Sequence, residues 1–300
     1  MKISVIANPH AGTADVEALK LAVQRQGEVT IHRTEQAGDA TRFARAALAD
    51  GGDLVVAAGG DGTINEVVNG LAADFRRARL GIIPLGTGND FARSINVPAD
   101  LEAALDLLAA GAAQAVDVVR ATSDRVRYFI NVSAGGFSGL VDEKLTEDMK
   151  RTWGPLAYLR SAAAALPDLG AYHTSVVFDE DEPIDIQAFN IIIANAQFVA
   201  GGIPIAPTAV LDDGLLDVVI IPAASMAQLA ILVPQILLGK YLDSELIGFR
   251  RARKLAVESQ PGMWFNADGE LVGNKPTRFE VLPQALQVIV GPQRTAHTDK

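Results

Sequence analysis

The sequence predicts an α/β N-terminal domain with a doubly wound parallel sheet, followed by a β-rich C-terminal sandwich domain. From residue 1 to about residue 120, short apolar runs alternate with helical segments, which is the order of a parallel sheet with crossover helices. Beyond residue 121 strand-like runs follow one another instead, which favours a sandwich or barrel-like body. We therefore expect a first domain at 1–120 and a second at 121–283.

Each predicted element of the first domain is a short apolar run or a segment with helical periodicity. The predicted strands are Lys2–Asn8, Val29–Thr34, Asp53–Ala58 and Leu80–Pro84. The predicted helices are Val16–Gln26, Ala37–Ala49, Thr63–Ala73 and Asp100–Ala110. In such sheets ligands bind beyond the carboxyl ends of the strands, so the loops that follow these strands are the first candidates for a site.

In the second domain, helices are expected near 139–150, 156–166 and 225–238 among the strands. The most apolar stretch, Val218–Leu238, is long enough to span a membrane. Pro222 and Pro234 interrupt it, and Ser225 has the position of a helix cap. We expect a buried strand followed by a buried helix there.

Composition excludes several classes of protein. The 300-residue chain has a net charge of −10, which argues against a nucleic-acid binder that relies on phosphate attraction. It has no cysteine, so disulfides and thiolate metal sites are absent. The apolar run after Met1 is too short for a signal peptide, so we expect a soluble, cytoplasmic protein.

The stretch Gly59–Thr63 joins a predicted strand to a predicted helix. Glycines let a backbone pass close to a bulky anion, and a helix N-terminus attracts phosphate. Thr63 and Glu66 have the spacing of a capping box for that helix. Asp61 adds negative charge at this place, so we expect a divalent cation between it and phosphate oxygens. The alternative is an ordinary glycine turn with a solvated aspartate.

A second glycine loop, Pro84–Arg93, has the same order of strand, glycine turn and short helix. The two blocks GGDGTINEVVNGL, from residue 59, and PLGTGNDFAR, from residue 84, resemble in order and spacing the diacylglycerol kinase catalytic domain. The resemblance is closest to the bacterial soluble lipid-kinase branch. NAD kinases and phosphofructokinases look similar in the first block, and the second block separates them from this chain.

The resemblance covers nearly the whole chain and implies an NAD kinase/diacylglycerol kinase-like fold. It also implies that residues 284–300 return to the first domain. It implies a lipid kinase that uses ATP and Mg²⁺ to phosphorylate a lipid hydroxyl, such as that of diacylglycerol. An NAD kinase-like enzyme for a small molecule is one alternative. A nucleotide- or lipid-binding protein without turnover is another.

The resemblance also assigns nucleotide contacts to fourteen positions. These are Asn8, Gly12, Thr34, Gly59, Gly60, Asp61, Gly62, Thr63, Asn65, Glu66, Gly86, Thr87, Asn89 and Asp90. The turn at Gly12 departs from the family, because Ala11 stands where serine is common and no basic residue follows. Asp61 also belongs to the expected catalytic set, through the cation that it would hold.

The acceptor side of the reaction is expected at Asp268-Gly269-Glu270. Asp-Gly is the commonest hairpin signal, so the residues alone favour a turn. In the resembling family this Asp-Gly-Glu supplies the general base. Asp268 and Glu270 are not distinguished by the sequence, and both are candidates.

A second acidic turn, Asp212–Asp217, reads by itself as a surface hairpin. The resemblance makes it a structural magnesium site, with the Asp213 carboxylate and the backbone carbonyls of Val210 and Leu215 as ligands. Magnesium accepts so few protein ligands because it retains several waters.

The expected partners are a lipid substrate and a membrane that is contacted peripherally and transiently; no nucleic acid is expected, and a homodimer is possible. Lys144–Arg160, with Trp153 and Tyr158 among its cations, and the basic run that starts at Arg250 are the candidate membrane contacts. The same residues could equally line a domain interface.

Overall fold

The computed structural model describes residues 1–11, 24, 27–110, 112–136 and 170–292. These residues form two compact units. The first comprises Met1–Val116 and the segment from Ala285, and the second is Asp117–Gln284. Two strands, Ala113–Thr122 and Thr277–Ile289, each run from one unit into the other.

The first unit alternates strands and helices. Its strands are β1 (Lys2–Ala7), β2 (Glu28–Arg33), β3 (Leu54–Gly59) and β4 (Arg79–Pro84). Its helices are α1 (Asp39–Ala49), α2 (Asp61–Leu71), α3 (Asp90–Ser94) and α4 (Leu101–Ala110). Strand β5 (Ala113–Thr122) then leads out of this unit.

The strands of the first unit form a parallel sheet in the order β2-β1-β3-β4. The last residues of the long C-terminal strand add a further parallel neighbour, where Val288 pairs with Leu80. Every residue of β3 is buried, as its unbroken apolar sequence predicts for a central parallel strand. The predicted parallel α/β architecture is confirmed.

Helix α2 begins two residues earlier than predicted. The expected start was Thr63, but Asp61 is the first helical residue and Gly60 is the N-cap, with extended φ and ψ of −91° and −172°. The capping-box prediction is therefore wrong, because Thr63 is already the third residue of the helix and no side chain caps Gly60.

The described residues of the second unit form mostly strands. They are β6 (Val126–Phe129), β7 (Val132–Gly136), β8 (Tyr172–Phe178), β9 (Ile184–Ala194), β10 (Phe198–Val199), β11 (Ile203–Pro204), β12 (Leu216–Pro222), β13 (Gly248–Ala252), β14 (Lys254–Gln260), β15 (Phe265–Ala267), β16 (Glu270–Gly273) and β17 (Thr277–Ile289). Its described helix is α5 (Met226–Leu237), between β12 and β13.

Antiparallel pairing runs through the second unit in the order β16-β15-β7-β9-β8-β14-β17, with β12 on β9 and β13 on β12. The buried rings of Phe129, Phe265 and Phe279 meet edge to face in its core, with centroids 5.2 and 6.3 Å apart. The predicted β-rich C-terminal domain is confirmed.

The apolar stretch after Asp217 forms the predicted strand and helix, but the helix is not buried as predicted. Ser225 accepts the backbone N–H of Gln228 in a capping box, so the predicted start is right. Ile231, however, is 60% exposed, and Leu238 just beyond the helix is 69% exposed. Helix α5 lies on the surface of its unit with one face packed, because sequence apolarity alone does not say how many faces are covered.

Three predicted helices, at 16–26, 139–150 and 156–166, lie wholly or almost wholly outside the described residues, as does the candidate membrane contact at 144–160. Within the ranges that the structure does describe, no helix combines the length and the apolar character needed to cross a membrane.

Candidate functional site

The two glycine loops touch each other at the carboxyl ends of β3 and β4. A Cβ atom built on Gly86 would lie 2.5 Å from the Cα of Gly60, closer than non-bonded carbons can approach. The backbone N–H of Leu85 also donates to the carbonyl of Gly59 at 2.9 Å. The loops therefore form one glycine-lined backbone surface, and this contact tolerates no side chain at position 86.

Asp61 connects the first loop to the helix that follows the second. Its Oδ1 accepts the backbone N–H of Phe91 at 3.2 Å, in the first turn of α3. A carboxylate is favourable at a helix N-terminus, and Asp61 also occupies the first turn of α2. Two helix N-termini thus already stabilise the charge of Asp61, and a divalent cation between Asp61 and phosphate stays a prediction.

Asn89 closes the second loop on itself. Its Oδ1 accepts the N–H of Gly86 at 2.9 Å, and its Nδ2 donates to the carbonyl of the same residue at 2.7 Å. Asn89 is the N-cap of α3 in the left-handed region, with φ 52°, but its side chain makes no capping bond into that helix. Asparagine suits this position because it tolerates left-handed backbone and folds back onto its own loop.

Glu66 caps a neighbouring helix instead of its own. Its two carboxylate oxygens accept the N–H groups of Gly38 and Ala40 at 2.9 and 3.0 Å. Thr41 adds a bond from its hydroxyl to the Glu66 carbonyl at 2.9 Å. Gly38, the N-cap of α1, has no side chain to cap that helix, so the carboxylate supplied by α2 takes this role.

The ends of β1 and β2 bring two further predicted residues to the same edge of the sheet. The Nδ2 of Asn8 lies 3.4 Å from the hydroxyl oxygen of Thr63, and the backbone N–H of Asn8 donates to Ala58 at 3.0 Å. Thr34 is buried and its backbone N–H donates to Ala7 at 2.9 Å. Asn8 and Thr63 thus lie together beside the first loop.

Exposure divides the predicted nucleotide contacts. Gly62 and Thr87 are exposed, whereas Thr34, Thr63, Asn65 and Asp90 are buried. Gly12 lies outside the described residues. The exposed loop positions can meet a ligand directly, whereas the buried ones are withdrawn from the surface.

The Asp-Gly-Glu segment is a hairpin turn, as the residues alone suggested. Asp268 and Gly269 connect β15 to β16, and both have positive φ, 48° and 89°. This is the conformation of the tight two-residue turns that Asp-Gly favours. The turn does not decide whether the segment also supplies a general base, so that role stays a prediction.

Asp268 holds this hairpin against the neighbouring segment Ile130–Val132 of the same chain. Its carboxylate accepts three backbone N–H groups, from Ile130 at 3.2 Å, Asn131 at 3.1 Å and Val132 at 2.9 Å. Its own N–H donates to the carbonyl of Val132 at 3.0 Å. The oxygens of Asp268 are therefore engaged in structure, while Glu270 two residues later is exposed.

The acidic turn at 212–214 is tied to a fully buried carboxylate that the sequence did not reveal. Asp117 accepts the N–H groups of Gly214 and Gln284, each at 2.7 Å. Burial raises the pKa of Asp117, and the carboxylates of Asp213 and Asp212 raise it further, while these two N–H groups oppose the rise. The site carries a surplus of negative charge at close range.

A second buried carboxylate lies beside the same turn. Asp217 accepts the Nε–H of Arg251 at 2.8 Å and the hydroxyl of Thr208 at 2.7 Å. The Arg251 guanidinium is also 3.8 Å from the Asp213 carboxylate and donates to the Thr208 carbonyl at 2.7 Å. Arginine satisfies the buried charge of Asp217, so this part of the turn needs no metal.

The basic run at 250–254 is largely neutralised by carboxylates. Arg250 pairs with Asp181, and Lys254 lies 3.7 Å from Glu280. With Arg251 held by Asp217, three of its five residues have acidic partners. This weakens the run as an electrostatic membrane contact.

Comparison with known proteins shows what the chain is similar to. The diacylglycerol kinase catalytic domain family matches residues 2–121. The family described as the YegS C-terminal NAD kinase beta sandwich-like domain matches residues 131–290. Together the two families cover nearly all of the chain.

Named relatives agree with these domains. A protein of Staphylococcus saprophyticus named diacylglycerol kinase is 33% identical over 289 residues, covering 95% of this chain and 93% of its own length. One from Staphylococcus epidermidis with the same name is 34% identical over 261 residues, covering 87% of this chain and 81% of its own. Matches of this length extend through both units.

Solved structures give the same picture. The crystal structure of a candidate diacylglycerol kinase from Bacillus anthracis has a TM-score of 0.82 at 25% identity, covering 97% of this chain and 95% of its own. An NAD kinase from Archaeoglobus fulgidus, solved in complex with ATP, has a TM-score of 0.53 at 15% identity, covering 96% and 93%. The second comparison is evidence of a shared fold.

We expect Glu66→Gln to loosen the start of α1. The amide keeps one acceptor but loses the charge and one of the two oxygens that cap this helix, so the free energy of unfolding should fall by about 1 kcal/mol. Urea unfolding measures this, with Glu102→Gln as the control, because Glu102 is an exposed acid in the first turn of α4. Equal losses in both variants would show that Glu66 acts through net charge and not as a cap.

Proposed function

The chain belongs to the diacylglycerol kinase family, and we propose that it transfers the γ-phosphate of ATP to the hydroxyl of a lipid such as diacylglycerol. The family makes the protein a lipid kinase. The observation that carries the finer proposal is the contact of the two loops at Gly60 and Gly86, which produces one glycine-lined backbone surface next to the N-terminus of α2. Backbone N–H groups at such a place suit the phosphates of a nucleotide.

The donor half of the reaction falls to the first unit. The exposed residues Gly62 and Thr87 would contact phosphate, and Asn8, just after β1, lies against Thr63 of the first loop. The supporting residues are Asp61, which fixes the start of α3, Asn89, which fixes the second loop, and Glu66, which fixes α1. Catalysis of phosphoryl transfer is mostly such positioning and charge stabilisation.

The donor set of the acidic turn fits magnesium. Its proposed ligands are the Asp213 carboxylate and the carbonyls of Val210 and Leu215, all oxygens, as this hard cation prefers. Burial is the main cause of the raised pKa of Asp117, and the nearby carboxylates of Asp213 and Asp212 add a repulsion that a divalent cation would offset. Among the described residues no three acidic, histidine or cysteine side chains form a metal cage, so a bound ion would keep several waters. Bound there, magnesium would supply charge and rigidity to the turn.

Glu270 is the proposed general base. The lipid hydroxyl gives its proton to the Glu270 carboxylate while the hydroxyl oxygen bonds to the γ-phosphorus of ATP. The bond between the γ-phosphorus and the β–γ bridging oxygen breaks, which releases ADP. Asp268 is a positioning residue in this account, because three backbone N–H groups occupy its carboxylate. The sequence left the two acids equivalent, and their different contacts support this division of roles.

Glu270→Gln should therefore lose turnover, whereas Asp268→Asn should lose stability. We expect Glu270→Gln to lower kcat by about 10²–10⁴-fold, with unfolding unchanged, since an exposed proton acceptor is lost. Asp268→Asn should lower the free energy of unfolding by about 1–3 kcal/mol, because backbone donors lose an acceptor. Labelled-phosphate transfer and urea unfolding measure the two effects.

The same transfer assay tests the function itself when diacylglycerol, other lipids and NAD are offered to the wild type in parallel. Label in a lipid product supports the proposal, and label in NAD alone would replace it with a small-molecule kinase. Should Asp268→Asn lose turnover at full stability while Glu270→Gln keeps it, the roles of the two acids are reversed.

Magnesium should stabilise the wild type through Asp213. A ligand bound by the folded state alone adds about 2.7 kcal/mol when its free concentration is 100 times its dissociation constant. The melting temperature should therefore rise with magnesium in the wild type and rise less in Asp213→Ala. Asp243→Ala removes an exposed acid of the same unit and is the matched control. If all three proteins respond alike, the acidic turn holds no magnesium.

A further inference from the structure

Helix α5 is unusual because it is apolar on its exposed side as well as its packed side. No charged side chain lies between Asp217 and Lys240. Leu229 and Leu232 are buried, whereas Ile231 is 60% exposed and Leu238 is 69% exposed. A helix that is apolar all round is normally covered on all sides. This one has an apolar side with no cover from the described residues.

The packed side shows that α5 is firmly seated. Leu232 belongs to a buried cluster with Val219 of β12 and with Tyr241, just after the helix. Tyr241 is fully buried, and its hydroxyl donates to the carbonyl of Ile205. The capping box at Ser225 fixes the other end. The exposed side chains are therefore a stable feature of the surface.

A further exposed apolar side chain lies on the edge of the sheet. Phe249 of β13 is 38% exposed and pairs across the strands with Val219. Cross-strand partners point to the same face of a sheet, and Val219 packs with Leu232 of α5. Phe249 thus shares the face on which α5 lies. We call Ile231, Leu238 and Phe249 the α5 surface.

We propose that the α5 surface is the contact of this protein with a lipid bilayer. The proposal rests on the proposed lipid acceptor: a kinase that takes its substrate from a bilayer must reach that bilayer, and no described helix can cross one. Peripheral proteins do this with an apolar helix face lying in the interfacial plane. The α5 surface provides such a face without an acidic side chain to repel anionic lipid.

The chemistry of the surface favours lipid over a second protein chain. Specific protein interfaces carry directional hydrogen bonds and are anchored by Tyr, Trp and Arg. Helix α5 has two polar side chains, and one of them, Gln228, is used in the helix cap. Branched aliphatic groups need a cover without directional bonds, which lipid tails provide. Lys240, exposed at the end of α5, can extend its ammonium toward headgroups.

Site-specific fluorescence tests this directly, because the chain has no cysteine and one can be placed at will. Ile231→Cys carries an environment-sensitive dye on the α5 surface. Ile184→Cys is the matched control, since Ile184 is also an exposed isoleucine of the second unit, at the start of β9. Leu271→Cys reports the exposed apolar residue next to Glu270.

Vesicles of phosphatidylcholine with diacylglycerol should shift the emission of the Ile231 label to the blue and leave the Ile184 label unchanged. Because the contact is apolar, the shift should persist at 1 M salt, where charge attraction is screened. A shift at Leu271 without one at Ile231 would overturn the proposal and place the contact at the hairpin. A shift that disappears with salt would overturn it as well.

Vesicle binding and sedimentation of two variants test whether a second copy of the protein, and not lipid, covers the α5 surface. Ile231→Gln and Leu238→Gln should each weaken vesicle binding by about tenfold, the effect of leaving one large aliphatic side chain in water. Gln keeps helix propensity, so the fold is retained. If the wild type sediments as a dimer without lipid, and Ile231→Gln converts it to a monomer, the α5 surface is a subunit interface and the proposal fails.

Activity separates this proposal from the proposed function. On water-soluble short-chain diacylglycerol, wild type and Ile231→Gln should turn over equally, while on vesicles the variant should be slower by about the factor lost in binding. If the wild type phosphorylates neither form, the proposed function fails, whereas the label at Ile231 still decides the bilayer contact. If Ile231→Gln is equally active on both forms, the α5 surface has no part in reaching lipid.

Discussion

The close approach of Gly60 and Gly86 is the constraint on which the donor half of this protein depends. Parallel pairing of β3 with β4 brings the two loops to the same edge of the sheet, and the absence of side chains lets them meet. Polar residues around the two glycines then hold the loops in this arrangement by hydrogen bonds. Asp61 ties the first loop to α3, and Asn89 closes the second loop onto Gly86.

Several carboxylates support the fold by accepting backbone N–H groups. Glu66 caps α1, Asp268 binds three backbone N–H groups, and Asp117 fixes the acidic turn through two more. In a loop, a carboxylate can satisfy several backbone N–H groups, the role that backbone carbonyls have in helices and sheets. Glu270, two residues after Asp268, is exposed, and its role as the general base stays a proposal.

Local patterns predicted much of this structure. The alternation of elements gave the parallel sheet, and Ser225 marked the start of α5, because both depend on neighbouring residues. The capping role of Glu66 was missed because its partners are 26 and 28 positions away in the chain. The exposure of α5 was missed because apolarity does not reveal what covers a helix. The role of Asp117 depends on Gln284, which no local pattern connects to it.

The central claim is that the two glycine loops act together as one phosphate-binding surface. The most direct test is the rise in melting temperature that ATP produces in the wild type and in Gly86→Ala. The added methyl group would strike the backbone of Gly60, so the loops must separate. The account predicts that ATP stabilises the wild type and stabilises Gly86→Ala far less. An equal rise in both proteins would contradict it.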